Sequence, residues 1–407
     1  MNEPQLSPEE ARDVLKNKYG IYDIIALKPL PSFEDQNFHV TAKDADDVQH
    51  DYVLKIINNV LSQNPDICSV QSHAMTFLRK CGFPTPMTFP TTAGEMLSFF
   101  SVGKQEIDLQ DTEVRVDKLH SYHIILSTQA ESKNGPQRYI VRLLEYMPGV
   151  PLARVVVQLD MLYKLGSLIA FMNLTLQDFK PSSQNYFDHN SLWNTSDLLK
   201  IIPLLKFLDG NPIQKLAHDA LKVCTSSILP KLPHFRSGPI HSDLNDGNIL
   251  VEECTEDVNQ TSHTSLVHSP KICPTSKNYN ISGIIDFGDF TPGYYVSDLA
   301  LLMVYMMLNH PEKIVVGGHV MAGYESVMPL TGEEKDTLFF LVVSRIVISI
   351  VLTHRRAEMS PENTKFLLRH DGALSSILKE LWEAGKEKVE KLWFDVADLY
   401  STTCQTS

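Results

Sequence analysis

The stretch His241-Ser242-Asp243-Leu244-Asn245-Asp246-Gly247-Asn248-Ile249-Leu250-Val251 decides the reading of this chain. It sets a carboxylate and an amide in one polar turn, directly before a short apolar run. Asp-Gly-Asn turns the chain readily, because glycine has backbone freedom and Asx side chains bond their own backbone. Asp243 can accept a hydrogen bond or a proton, and Asn248 offers a hard amide oxygen. Further along, Ile284-Ile285 leads into Asp286-Phe287-Gly288-Asp289, which places another carboxylate at the end of an apolar strand. Upstream, Tyr52-Val53-Leu54-Lys55-Ile56 holds a lysine inside an apolar strand.

Each feature has a bland reading. An Asp-Gly-Asn turn is common, Asp-Phe-Gly is a short string, and a lone strand lysine is usually an edge-strand guard. Together, in the order Lys55, Asp243, Asn248, Asp286, they form the set that γ-phosphoryl transfer requires. Asn248 and Asp286 supply the hard oxygen ligands that Mg²⁺ prefers. Lys55 supplies a fixed cation for the α- and β-phosphates. Asp243 supplies the carboxylate that orients an attacking hydroxyl.

The chain has 407 residues, 43% of them hydrophobic and 21% charged, and a net charge of −13. Its length suffices for two domains or one bilobal unit. Strong acidity argues against nucleic acid or an anionic membrane as partner, since both demand a basic face. The six cysteines form no C-x-x-C pair and no cluster at zinc spacing, as expected in a reducing compartment without a structural metal. The opening residues MNEPQLSPEE are polar and acidic, unlike a secretory or transit signal. The apolar runs Leu299–Leu308 and Phe339–Leu352 read as core helices, the first being short and the second interrupted by Arg345. A cytoplasmic protein is expected, and no feature points to a protein partner.

Ser7-Pro8-Glu9-Glu10 reads as a helix start with a capping box, and Gly20 as its stop. Ile21–Leu27, Asn37–Thr41 and Tyr52–Ile57 suggest an antiparallel meander around the turn Asp44–Asp47. Val70–Cys81 has helical spacing up to Gly82. Met96–Val102, Ser121–Ser127 and Tyr139–Leu144 read as further strands, and Asp108–Lys118 as a surface insertion. After Met147-Pro148-Gly149 helices dominate: Met161–Leu176, Ser196–Leu208, Ile213–Leu229, Asp298–Leu308, Glu333–Thr353, Pro361–Ala373 and Leu374–Tyr400. The polar stretch between Glu252 and Asn280 reads as a loop joining two paired strands. Strands first and helices later imply an α+β chain, with residues 1–147 as one lobe and 148–407 as the other.

The motif set resembles the aminoglycoside phosphotransferase/choline kinase-like family, from about Leu15 to Tyr400. That resemblance implies a bilobal protein-kinase-like fold, with a small antiparallel-sheet N-lobe and a larger helical C-lobe. Pro31-Ser32-Phe33-Glu34-Asp35-Gln36-Asn37-Phe38-His39-Val40 resembles the family's phosphate-covering turn. By that likeness the backbones of Ser32 and Phe33 approach the phosphates. Arg142-Leu143-Leu144-Glu145-Tyr146-Met147-Pro148-Gly149 resembles its hinge, where the backbones of Glu145 and Met147 would hydrogen-bond the base. The segments LPSFEDQNFHV, YVLKI, VRLLEYMPG, HSDLNDGNIL and GGHVMAGYES are similar to a member whose acceptor is 5-hydroxy-L-lysine. That likeness implies transfer from GTP to its 5-hydroxyl, with ATP left open as donor. Homoserine and choline are the competing acceptors, and a nucleotide-binding pseudokinase is the competing class.

Departures from the pattern carry expectations of their own. The family pairs the strand lysine with a helix glutamate, and the matching position here is Gln71, which gives no ion pair. The phosphate-covering turn has no glycine. Residue 242 is Ser, where regulated protein kinases carry an Arg that receives an activation-loop phosphate. Only Phe290–Ser297 separates Asp289 from the next helix, too little for a peptide-docking loop, so a small-molecule acceptor is expected. Asp298 either caps that helix or braces the catalytic loop. Asp246 and Asp289 are candidates for a substrate ammonium. Arg345 is a candidate for a substrate carboxylate, against a structural ion pair. His319, after Gly317-Gly318, either shapes a pocket or turns the chain.

Overall fold

The computed structural model describes residues 4–32, 34–102, 137–183, 186, 192–254, 278–308 and 310–403. Phe33, the insertion Asp108–Lys118, the strand Ser121–Ser127 and most of the loop after Glu252 therefore lie outside the described residues. The chain divides into two compact units: Met1–Pro65 with Phe89–Leu143, and Asp66–Thr88 with Leu144–Ser407.

In the first unit, helix Pro8–Tyr19 opens on the expected capping box. Ser7 Oγ accepts from the Glu10 N–H at 3.2 Å, and the Glu10 carboxylate accepts from the Ser7 N–H at 2.8 Å. It ends at Gly20 in the left-handed region, with φ +68°. The meander follows as β1 (Asp23–Leu30), β2 (Gln36–Lys43) and β3 (Gln49–Ile56), all antiparallel. With β4 (Thr88–Phe89), β5 (Ser98–Val102) and β6 (Gln137–Glu145) they make one sheet of order β1-β2-β3-β6-β4, and β5 pairs with β6. Alternate residues Phe38, Val40 and Ala42 of β2, and Tyr139, Val141 and Leu143 of β6, face Ala11, Val14 and Leu15 of the helix. This is the period-two burial that a half-covered sheet requires.

The second unit is mostly helical. Helices Leu159–Leu176 and Lys313–Glu325 pack backbone against backbone. A Cβ on Gly166 would lie 2.0 Å from the Val320 carbonyl oxygen, and one on Gly323 would lie 1.9 Å from that of Tyr163. His319 therefore stands inside a helix and turns nothing. Gly317 and Gly318 admit Trp393 and Val396 there, and the His319 ring bonds the Tyr400 hydroxyl at 2.6 Å. Helix Gly332–Met359 extends the expected run at both ends. It is long and apolar enough to cross a bilayer, but 83% of its most apolar window is buried inside the protein, as in a core helix. Leu374–Tyr400 is two helices rather than one, because Gly385 at φ +78° breaks it into Asp371–Ala384 and Lys386–Thr403. Ser196–Leu208 is likewise broken, its second half a 3₁₀ run that begins at Ile202 and holds Pro203 in its first turn.

Among the described residues, short strands complete this unit: β7 (Val150–Pro151), β8 (Ser237–Ile240), β9 (Ile249–Glu253), β10 (Tyr279–Ile284) and β11 (Thr291–Tyr294). They form a three-stranded sheet of order β10-β9-β7 and a β8–β11 ladder. The two strands expected around the polar loop are β9 and β10, and they pair antiparallel.

Candidate active site

Strand pairing forces two loops of the second unit together. His241–Asn248 runs between β8 and β9, and residues 285–290 run between β10 and β11. Because β9 pairs with β10 and β8 with β11, each loop is tied to the other at both ends. A bond from the Ile285 N–H to the Asn248 carbonyl, at 2.9 Å, closes the seam. Only Phe290 and β11 separate Asp289 from helix Tyr295–Leu308, so no peptide-docking loop intervenes.

Asp243 sits in the first loop with its carboxylate fixed on two sides. Oδ1 accepts from Asn245 Nδ2 at 2.9 Å, and Oδ2 from Asn248 Nδ2 at 2.8 Å. Both donors are neutral amides, so the carboxylate is oriented without being neutralised. Burial pushes Asp243 up to about 6, helped by the Asp286 charge and opposed by Arg345 and the two amides. At pH 7–8 it remains ionised and able to accept a hydrogen bond.

His241 is a strut. Its Nδ1 accepts from the Asp243 N–H at 3.3 Å, which places the proton on Nε2, and Nε2 donates to the Ile285 carbonyl at 3.2 Å. Burial drives the ring down to about 4, so it stays neutral between the loops. Asp298 resolves to the brace. Oδ2 accepts from the His241 N–H at 3.2 Å, and Oδ1 from the Ser242 N–H at 2.9 Å. Burial pushes its carboxyl up to about 7 against those two donors. Ser242 and Asp286 both stand in the left-handed region, at φ +68° and +61°. That conformation costs a side-chain-bearing residue about 1–2 kcal/mol, strain that a braced site can hold.

Asp286 caps the 3₁₀ turn Phe287–Asp289. Its Oδ1 accepts from the Gly288 N–H at 3.4 Å, and its side chain is exposed. Gln71, at the position of the family's glutamate, is buried and donates from Nε2 to the Gly288 carbonyl at 2.7 Å. It steadies the Asp-Phe-Gly turn. In the first unit, Lys55 takes a different anion: Asp35 of the phosphate-covering turn, at 3.0 Å, both side chains being largely buried. Asp35 Oδ1 accepts in turn from the Asn58 N–H at 2.8 Å and from its Nδ2 at 3.0 Å.

Among the remaining candidates, Ser32 is half-buried. The Glu145 N–H is committed to the Met87 carbonyl at 2.8 Å and its carboxylate to Arg79 at 2.6 Å, so only its carbonyl can serve a base. Met147 and Asp246 are buried, and Asp289 is half-buried. Arg345 is buried in helix Gly332–Met359, with its guanidinium 4.5 Å from the Trp193 ring centroid.

The profile of the phosphotransferase enzyme family matches residues 26–259, which takes in the phosphate-covering turn and the Asp243 loop. The chain belongs to that family. It is 33% identical to the hydroxylysine kinase of Mus musculus, across 98% of this chain and 95% of that one. It is also 33% identical to the hydroxylysine kinase of Xenopus laevis, across 99% and 96%. Among solved structures, a microcompartment-associated aminopropanol kinase superposes with a TM-score of 0.63 at 16% identity, covering 93% of this chain and 98% of its own. A spectinomycin phosphotransferase gives 0.55 at 13%, covering 97% and 99%. Those likenesses show the protein-kinase-like fold. As a member of the phosphotransferase family the chain is a small-molecule kinase that acts on a hydroxyl group and uses a nucleotide donor and a divalent metal ion.

The residues suit such a metal. Asn248 spends both Nδ2 hydrogens on the carbonyl and carboxylate of Asp243, at 2.8 Å each, so Oδ1 is the atom it presents. Asp286 offers a carboxylate on an exposed corner. No group of three or more His, Cys, Asp or Glu gathers at metal spacing among the described residues. Two protein oxygens supplemented by phosphate and water is the manner in which Mg²⁺ is usually held. Sequence reasoning missed three residues here. Asp35 and the Trp193–Arg345 stack arise from tertiary packing. Asn245 lay inside the quoted motif, two residues after Asp243, at Asx-turn spacing that could have marked it.

Proposed function

We propose that the chain transfers the γ-phosphoryl group of GTP to the 5-hydroxyl of 5-hydroxy-L-lysine, with Mg²⁺, in the cytoplasm. The observation that carries this reading is full-length similarity to hydroxylysine kinases, joined to an intact Asp243–Asn248 pair. Asp243 accepts a hydrogen bond from the acceptor hydroxyl and aligns its oxygen on the phosphorus; as the new O–P bond forms, the bond from the γ-phosphorus to the β–γ bridging oxygen breaks, GDP leaves, and the hydroxyl proton moves to Asp243. Two amides hold the carboxylate in place, so little reorganisation is needed at that moment. A divalent metal bound here would supply positive charge that offsets that of the phosphates. Asn248 and Asp286 would hold that metal, Lys55 would serve the α- and β-phosphates, and Ser32 and Phe33 would cover them. The backbones of Glu145 and Met147 take the base, and Asp246 and Asp289 serve an acceptor ammonium. Residues 1–147 act as the nucleotide lobe and 148–407 as the acceptor lobe.

The test is a product-detecting screen of 5-hydroxylysine, homoserine, choline and lysine with GTP and ATP in parallel. Phosphorylated hydroxylysine, and no product from lysine, is the expected result. Equal or better turnover of homoserine or choline sinks the acceptor assignment, whereas faster reaction with ATP removes only the donor claim.

A further inference from the structure

Arg345 stands in helix Gly332–Met359 among buried neighbours and is itself 7% exposed. A guanidinium keeps its charge at any physiological pH, and a buried one is costly without an anion. Among the described residues no carboxylate forms an ion pair with it, and its Nε has no hydrogen-bond partner. The nearby acids are engaged: both Asp298 oxygens hold backbone N–H groups, and both Asp243 oxygens hold amides. What it does have is the face of Trp193, 4.5 Å away. The guanidinium lies over the indole ring, and a guanidinium can meet a flat anion with two parallel bonds, for which the unbonded Nε is a donor.

Arg345 lines a small cleft together with Trp193, Thr195, Ser242, Ser297 and Asp298. Ser242 belongs to the catalytic loop, next to Asp243, and Asp298 braces that loop, so the cleft borders the loop that carries Asp243. The Arg345 charge is felt at Asp243, at Asp298 and at the Tyr305 hydroxyl, and Tyr305 also feels Asp246 and Arg369. A cationic clamp and acidic groups thus share one neighbourhood, as a zwitterionic acceptor requires.

We propose that Arg345, held flat by Trp193, is the specificity residue that binds the α-carboxylate of the acceptor. The protein thereby selects hydroxy amino acids over amino alcohols. This rests on the reading of the chain as a small-molecule kinase. It names the acceptor class independently of which hydroxy amino acid is the natural one.

The test pairs 5-hydroxylysine and homoserine with their decarboxylated counterparts, 1,5-diaminopentan-2-ol and 3-aminopropan-1-ol, on wild type, Arg345→Met and Arg345→Lys. Binding is measured calorimetrically with a non-hydrolysable nucleotide present, and turnover alongside. Wild type should prefer an acid over its decarboxylated partner by at least about 10²-fold, since a site built for a polar group rejects a ligand lacking it by up to about 10⁴–10⁵. Arg345→Met should lose that preference in the calorimetric measurement, by a fall in binding of the acid alone. Arg345→Lys should restore part of it, with nucleotide affinity unchanged in both variants. The melting temperature of Arg345→Met without acceptor should fall only slightly, through loss of the Trp193 stack, since no ion pair is broken. A lowered melting temperature with acceptor discrimination intact would make Arg345 structural and overturn the proposal. Equal loss on acid and amino alcohol, or wild-type preference for the amino alcohols, overturns it too. Binding of acids through Arg345 without any turnover would leave the clamp standing and sink the kinase assignment.

Discussion

Replacing Asp298 tests whether the catalytic loop is held by a buried brace. Its two oxygens accept from the His241 and Ser242 N–H groups at 3.2 and 2.9 Å, and Ser242 is in a left-handed conformation that the loop must be made to keep. Asp298→Leu leaves two buried donors without an acceptor, each costing about 1–3 kcal/mol. Relief from burying a carboxyl group offsets part of this, so the net loss should be about 2–4 kcal/mol. Asp298→Asn keeps one acceptor oxygen and should lose roughly half as much. Released from the brace, the loop moves Asp243, and a displacement near 1 Å costs on the order of 10² in turnover. Thermal melting and steady-state kinetics read the two effects on the same preparations. For Leu the melting temperature should drop by on the order of 5 °C and turnover by about 10²-fold, with nucleotide affinity within a few-fold. Wild-type melting and turnover in the Leu variant would refute the brace.

Three further expectations follow from the geometry. Asp35→Ala takes from Lys55 its largely buried anion, so it should lower stability by on the order of 3 kcal/mol and raise the nucleotide KM; an unchanged KM would show that Asp35 does not position Lys55 for nucleotide. Gly323→Ala drives a methyl group into the Tyr163 carbonyl and should cost on the order of 3 kcal/mol in urea unfolding, whereas Gly372→Ala, with nothing within 4 Å, should be neutral or slightly stabilising. His241 is held down to about 4 from an ordinary 6.5. The unfolded chain therefore binds its proton first, so this stability is fully present above pH 6.5 and is lost as pH falls toward 4, by about 3 kcal/mol. His241→Gln should flatten the wild-type stability loss between pH 7 and 4.5, and an unaltered slope would contradict the neutral strut.

Local chemistry was legible in the sequence, and tertiary pairing was not. Ser7 and Glu10 announce a capping box because both partners lie within one turn, and the meander shows in alternating residues. The Asp243 loop and Asp-Phe-Gly were readable because each carries its chemistry in consecutive residues. Gly317-Gly318 left a turn open as one of two readings, since glycine pairs often mark turns, but here their missing side chains make room for Trp393 and Val396 within a helix. β8 and β11 escaped notice because Gly238, Pro239, Pro292 and Gly293 hide the strand pattern, although these residues pair across the ladder. Asp35, Asn58, Trp193 and Asp298 find their partners far along the chain, and no spacing rule joins them. Gln71 reads as a missing ion pair, yet the fold gives its amide to Gly288 and gives Lys55 an anion from the adjacent strand turn.

The central claim is that Asp243 meets the acceptor hydroxyl while Asp286 holds metal. It is tested most directly by titrating GTP, with and without Mg²⁺, against Asp243→Asn and Asp286→Asn while product formation from 5-hydroxylysine is followed. Asp243→Asn should bind Mg²⁺–GTP within a few-fold of wild type and turn over about 10²–10⁴ times more slowly. Asp286→Asn should lose Mg²⁺-dependent nucleotide affinity together with turnover. Near-wild-type turnover in Asp243→Asn, or equal turnover loss in both variants with nucleotide binding intact, would contradict the account.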